Sequence, residues 1–376
     1  MMRIFMLVQQ TGARGSVPTL APQLVGALRS LGCTVVTHPW GKHREHESTP
    51  QMVGRLVRDL LSVRRQLRNH AFDVAVVKTA HDWRTLLRDI AVVLVIRRRC
   101  RPVVLHFHGS RSSWLIEPGR HSFKLATAIL LAHVDGIMVL SREEQRQWEA
   151  FRRRPPIFTV KNPYVSVFSA APPESLSAVG PSTRVLFVGR LIEEKGIFDL
   201  VEAFPSVLEQ TPCQLVVVGE GDGDRELRRR ISGLGLDGHV RLAGYLSGTD
   251  LDEEYRAASL FVLPSWSEGF PTVLTEAMDA GLPIVTTRIR GAADHFMPDE
   301  NVLFVEPHDV KGLASSMIRL LRDQNLRARM VSANRKKIRM FEPELVAGEY
   351  LGVLQEVIRK HDVKAESGQK IPGAEA

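Results

Sequence analysis

The sequence predicts an α/β protein built as two doubly wound domains, each a parallel sheet with helices packed on it, and three observations lead there. Short apolar, β-branched runs alternate with longer stretches of helical period, the pattern of repeated βα units. The 376 residues are enough for two ordinary domains of roughly 100–200 residues. Residues 166–183, rich in Pro, Ser and Ala, have the composition of a linker and divide the strands into two sets.

In the first domain, residues 1–165, strands are expected at Ile4–Val8, Thr34–Thr37, Val74–Val77, Val103–His106 and Gly136–Leu140. The opening residues Met1 to Val8 carry one charge and are followed by no small-residue cleavage pattern, so they read as the first buried strand and not as a leader. In the second domain, residues 184–342, the expected strands are Arg184–Val188, Gln214–Val218, Val240–Leu242, Leu260–Leu263, Ile284–Thr286 and Asn301–Val305. A helix over 343–361 follows. Residues 362–376 lack the apolar content to fold and are expected to be disordered. In this architecture ligands bind at the carboxyl ends of the strands, in a cleft between the domains.

Composition narrows the class. With 44% hydrophobic and 24% charged residues the chain is globular and can bury a large core. Its longest clean apolar run, Ile90–Ile96, is far short of the roughly 20 residues a membrane-spanning helix needs. Cys33, Cys100 and Cys213 are odd in number, far apart and without a CxxC pair, which excludes a disulfide framework and a zinc site and suggests a reducing, cytoplasmic compartment. Charge is uneven: residues 1–180 hold 26 Lys and Arg against 12 Asp and Glu, the remainder 24 against 30. A basic half suits an anionic partner.

One candidate contact is Trp83–Ile96, where Trp83, Leu86, Leu87, Ile90, Val93 and Leu94 fall near helical spacing just before Arg97-Arg98-Arg99-Cys100-Arg101. An interfacial helix at an anionic membrane has this pattern; a core-packed helix with cations at its C-terminus has it too. Arg152-Arg153-Arg154 adds a second basic cluster.

Two stretches carry chemistry. In Ser267-Glu268-Gly269-Phe270-Pro271-Thr272-Val273-Leu274-Thr275-Glu276 a Gly-containing turn leads into a helix expected to start near Pro271. A helix N-terminus so placed suits phosphate, and carboxylates at Glu268 and Glu276 suit sugar hydroxyls. In Val188-Gly189-Arg190-Leu191-Ile192-Glu193-Glu194-Lys195-Gly196, Arg190 and Lys195 set two cations where a diphosphate leaving group would need its growing charge neutralised.

Together, Gly189-Arg190 to Lys195-Gly196 and Glu268 with seven residues before Glu276 resemble the retaining glycosyltransferases of family four, group 1 glycosyltransferases with the GT-B fold. The likeness extends to His108-Gly109, His133–Ser141, Lys161-Asn162-Pro163, Val217–Gly221 and Arg241–Tyr245. It implies two Rossmann-like domains facing a central cleft, an N-terminal acceptor-binding one and a C-terminal one for the nucleotide sugar, with the final helix crossing back to the first. It implies that Arg190 and Lys195 bind the donor diphosphate, that Glu276 binds the ribose, and that Glu268 with the amides of Phe270, Pro271 and Thr272 holds the transferred sugar and phosphate. His108 would lie under the donor sugar, giving Glu268 and His108 the catalytic positions. The first loop reads Gly15-Ser16 where the family usually has Gly-Gly, and Gly15 is carried over as donor-binding.

The activity so implied is retaining transfer of a hexose-type sugar from a UDP- or GDP-sugar, with no metal and no bound cofactor, to a lipid-linked or polysaccharide acceptor in cell-surface polysaccharide biosynthesis. The protein would be cytoplasmic and peripheral on the inner face of the membrane, with no nucleic-acid partner, since aromatic residues are only 6%. The alternatives are a sugar-nucleotide epimerase of the same fold and a non-catalytic basic binding protein. Asp222-Gly223-Asp224 and Gly219-x-Gly221-x-Gly223 read as a tight turn, not as a metal or dinucleotide motif.

Overall fold

The computed structural model describes residues 1–9, 16–41, 49–168 and 183–367. Its elements begin with β1 (Arg3–Val8), α1 (Ser16–Ser30), β2 (Thr34–Pro39), α2 (Thr49–Asn69), β3 (Val74–His81), α3 (Trp83–Arg97), β4 (Val103–Ser110), α4 (Ser113–Ile116), α5 (His121–Leu131), β5 (Gly136–Val139), α6 (Arg142–Phe151) and β6 (Ile157–Thr159). They continue with β7 (Arg184–Val188), α7 (Ile197–Gln210), β8 (Gln214–Val218), α8 (Asp224–Gly233), β9 (Val240–Gly244), α9 (Thr249–Ala257), β10 (Leu260–Leu263), α10 (Thr272–Asp279), β11 (Ile284–Thr287), α11 (Arg290–His295), β12 (Leu303–Val305), α12 (Val310–Arg322), α13 (Gln324–Lys337) and α14 (Pro343–Glu366). The chain divides into two units, Met1–Val165 with Phe341–Ala376, and Ser166–Met340.

The first unit holds a six-stranded parallel sheet in the order β2-β1-β3-β4-β5-β6. Its central strands are buried over most of their length, Val74 to Val77 and Val103 to Leu105 being fully inaccessible, as strands covered on both faces must be. One face packs on Trp40, Val63, Leu86, Val92 and Trp148. On the other lies α14, which begins with Pro343 in its first turn and packs along α1. The neighbouring backbone is tied in where the Tyr164 amide donates to the Phe341 carbonyl at 2.7 Å.

The second unit holds a six-stranded parallel sheet in the order β12-β11-β10-β7-β8-β9. Chain order reverses between β7 and β10, so the loops that follow these two strands emerge side by side at the carboxyl edge, where such sheets take ligands. The first residues of the expected linker belong to this unit. The Asp279 carboxylate at the end of α10 accepts from the Ser166 hydroxyl at 2.5 Å and from the Val167 and Phe168 amides at 2.9 and 3.2 Å.

The strands differ from the sequence reading at a few points. β3 and β4 continue to His81 and Ser110, past polar residues that interrupt the apolar runs. β6 was not expected, because three residues behind Pro155-Pro156 are too few to show alternation. α14 runs to Glu366, so residues 362–366, assigned to a disordered tail, are helical. The buried face of α14, Val346, Ala347, Tyr350, Leu354 and Val357, anchors the helix upstream, and a helix already nucleated propagates through its last turn without further apolar residues. Among the described residues no helix is long and apolar enough to cross a membrane. The three cysteines are free and buried.

Candidate functional site

The turn after β7 is shaped by two close backbone approaches. At Gly219, after β8, φ is +141° and a Cβ would stand 1.8 Å from the Gly189 carbonyl oxygen, so only glycine lets this turn nest against Gly189-Arg190-Leu191. The Gly223 amide then donates to the Leu191 carbonyl at 2.8 Å, and Asp224 is spent on Arg228 at 2.8 Å. The glycine-rich stretch is therefore a packing turn. At Gly196 φ is +67° and a Cβ would stand 1.9 Å from the Pro264 carbonyl oxygen, which joins the turn after β7 to the strand end of β10. Lys195 sits on the single 3-10 turn between them, Glu193–Lys195.

This junction brings Lys195 and Glu268 together. The Lys195 ammonium donates to Glu268 Oε1, and both side chains are mostly buried, 17% and 15% exposed. Ser265, fully buried, donates to the Glu194 carbonyl at 2.9 Å and lies 3.3 Å from the same Glu268 oxygen. The Trp266 amide donates to the Glu194 carbonyl at 2.8 Å, and its indole donates to Asp199 at 2.8 Å. The loop after β11 closes the third side: the Thr287 hydroxyl donates to the Ser265 carbonyl and the Gly291 amide to the Gly269 carbonyl at 3.1 Å. Three strand ends thus hold one ion pair in place. Arg190 is exposed on the first of these turns and has no ion-pair partner among the described residues.

α10 begins one residue later than the sequence suggested, with Pro271 as the extended residue before it and Thr272 first in the helix. Pro271 has no amide hydrogen, so it cannot donate to a phosphate as Phe270 and Thr272 can; the first-turn donors are the amides of Thr272 and Val273. The Leu274 amide is used by the Pro271 carbonyl at 3.1 Å. One turn further, Glu276 accepts a 2.7 Å hydrogen bond from the buried Tyr255 hydroxyl on α9. Burial pushes the Glu276 carboxyl above the usual range, an effect that the Tyr255 bond counters and nearby Asp252 reinforces. Tyr255 thus fixes one of the two carboxylate oxygens.

In the first unit His108 stands near the end of β4, with its ring 4.2 Å from that of His106 on the same sheet face. His106 Nδ1 lies 3.2 Å from the Tyr350 hydroxyl on α14. Lys78 on β3 is in register with His106. Its ammonium nitrogen, His106 Nε2 and both ring nitrogens of His108 are buried without hydrogen-bond partners among the described residues. Burial lowers both histidines well below the usual range and brings Lys78 down to about 7. His106 is thus a core residue against Tyr350, and Lys78 a group the sequence did not point to. Gly15 lies outside the described residues. Among the described residues no three His, Cys, Asp or Glu side chains gather as a metal-binding set.

Residues 173–337, which include both turns and α10, match the family model of glycosyl transferases group 1. Through that segment the chain resembles the group 1 glycosyltransferases. Similar to it are an uncharacterized glycosyltransferase of Methanocaldococcus jannaschii, 34% identical over 164 residues that make up 44% of this chain and 42% of the relative. A phosphatidyl-myo-inositol mannosyltransferase of Mycobacterium leprae is 32% identical over 190 residues, 50% of this chain and 48% of that protein. The chain therefore matches less than half the length of each relative. Among solved structures, Anabaena HepE in complex with UDP-glucose superposes with a TM-score of 0.74 over 95% of this chain and 100% of its own, at 18% identity. That likeness describes the fold, which is GT-B.

Proposed function

We propose that the protein transfers a sugar from a UDP- or GDP-sugar, with retention at the anomeric carbon, to a lipid-linked or glycan acceptor. The observation that carries this reading is the Lys195–Glu268 pair held at the junction of β7 and β10, inside the segment that matches the family. A diphosphate arriving there takes over the Lys195 ammonium, with Arg190 and the first-turn amides of α10 as further donors. These groups stabilise the nucleoside diphosphate as it departs and the anomeric carbon gains positive charge. Glu276, fixed by Tyr255, accepts from the ribose hydroxyls, and Glu268, released from Lys195, accepts from the transferred sugar. The departing phosphate takes the acceptor's proton, so the reading needs neither a protein base nor a metal. His108 is its sugar-orienting residue in the first unit.

HepE holding UDP-glucose supports a UDP-sugar, and the mannosyltransferase acting on phosphatidyl-myo-inositol supports a lipid-linked acceptor. These names favour transfer over an epimerase or a non-catalytic basic protein. We place the enzyme on the inner face of the membrane. α3 turns Leu86, Val92, Val93 and Ile96 into the core but leaves Leu87 and Leu94 exposed, and neighbouring α5 exposes Leu125 and Ile129. Arg98 and Arg99 lie just beyond α3, so the surface pairs apolar contact with cations.

Calorimetric titration with UDP, GDP and their sugars tests the donor site. Glu276→Ala is expected to weaken nucleotide binding about tenfold or more, near 1.4 kcal/mol. Glu268→Ala should lower transfer while leaving the free nucleotide's affinity within about twofold of wild type. Wild-type binding and transfer in both variants would remove the site from these residues.

A further inference from the structure

The first unit has a second concavity, at the opposite edge of its sheet from His108. It lies where strands start: Asp135 directly precedes β5 and Pro156 directly precedes β6, and in a parallel sheet all starts share one edge. Its volume is about 740 Å³, within the roughly 300–1,000 Å³ of ordinary ligand pockets. Three helices end on it, α3 with Arg97, α6 with Arg152 just past its last residue, and α14 with Lys360, His361 and Lys364. Arg153 and Arg154 complete the lining.

The charge has no internal answer. Asp135 is the one acidic residue of the lining, and its carboxylate accepts the Val103 amide at 2.9 Å. Arg97 is occupied with the Ala132 carbonyl at 2.9 Å and His133 at 2.8 Å, and Lys360 with Glu356 at 3.1 Å. Arg152, Arg153, Arg154 and Lys364 make no side-chain hydrogen bond or ion pair among the described residues. His361 Nε2 is buried without a hydrogen-bond partner among the described residues. Helix dipoles account for Arg97 and Lys364, which fall in last turns. They do not account for Arg153 and Arg154, which lie beyond α6, whose end is already closed by the Arg152 amide on the Trp148 carbonyl at 2.8 Å.

We propose that this groove binds a phosphate-bearing anion, a diphosphate or the phosphodiester headgroup of an anionic lipid, at a place separate from the donor turn. Four unpaired cations around one recess repel each other unless an anion enters, and guanidinium forks match phosphate oxygens two at a time. The ligand is either free in solution or the headgroup of an anionic lipid. The inference does not depend on the transferase reading.

The full chain is titrated with inorganic pyrophosphate and, separately, sedimented with phosphatidylglycerol–phosphatidylcholine vesicles, at 150 mM salt, as wild type, as Arg153→Glu/Arg154→Glu/Lys364→Glu and as the milder Arg153→Gln/Lys364→Gln. Circular dichroism melting and UDP titration of each variant report folding and the donor turn. Loss of at least tenfold in affinity for either probe, with melting and UDP binding as in wild type, is the expected result. Loss for pyrophosphate identifies a free anion, and loss for vesicles alone identifies a lipid headgroup. Binding equal in wild type and variants, or no binding of either probe by wild type, overturns the proposal.

Discussion

Lys78→Met should make the first unit more stable below pH 7 and remove most of the rise in its stability between pH 7 and 8.5. Lys78 is 4% exposed, its neighbours are the neutral rings of His106 and His108, and no carboxylate among the described residues pairs with it. The folded chain gives up the lysine proton near pH 7 and the unfolded chain only near 10.4, so between these values the unfolded state binds more protons and stability climbs with pH. The limit of that climb is about 4–5 kcal/mol, and relaxation around the amine brings it to a few. Cys33 and Cys100, held up by burial, the latter to about 12, act in the opposite sense above the usual thiol range. Both remain in the variant, so the difference between the two proteins isolates the lysine. Urea unfolding at pH 6, 7.5 and 8.5, followed through the buried Trp40 and Trp148, measures it. Parallel profiles for wild type and variant would mean that another group titrates.

The second large effect is expected at Gly196. Alanine there must adopt φ near +67° and place its Cβ against the Pro264 carbonyl, a backbone atom that has no rotamer to move to. We expect a loss of more than about 3 kcal/mol in the second unit, with nucleotide binding lost alongside because the adjacent Lys195 moves off Glu268. Lys195→Met separates the two roles: its stability should stay within about 1–2 kcal/mol of wild type while nucleotide binding falls at least tenfold. Thermal unfolding followed through Trp266, the tryptophan of this unit, together with nucleotide titration, distinguishes them. Gly196→Ala with wild-type stability would mean that the turn is less tight than described.

Most of the fold was legible because strands buried on both faces of a parallel sheet are continuous apolar runs, and such runs are the strongest pattern a sequence carries. The pattern failed where burial and polarity part company. Val74–Val77 seemed to end at Lys78, yet the strand runs through it to His81, since a lysine at a strand end looks like the start of a loop. The site was legible as far as its local turns, Arg190 to Gly196 and Glu268 to Glu276. Tyr255 and Ser265 were not, because the first reaches Glu276 from another helix and the second acts through backbone carbonyls, and neither has a spacing that announces it. Pro271 was given a part its missing amide hydrogen forbids.

The first unit is assembled from both ends of the chain, while the second is one uninterrupted stretch, Ser166 to Met340. On the ribosome the usual order of completion is therefore reversed. When Met340 emerges, the later unit has all of its strands, but the earlier one still lacks Tyr350, the partner of His106, and Val357, which packs over Gly136. Until α14 is made, one face of the first sheet, including the Lys78 and histidine file, is open to water or to a chaperone. The nascent protein thus has its second unit finished while its first waits for α14 to be synthesised.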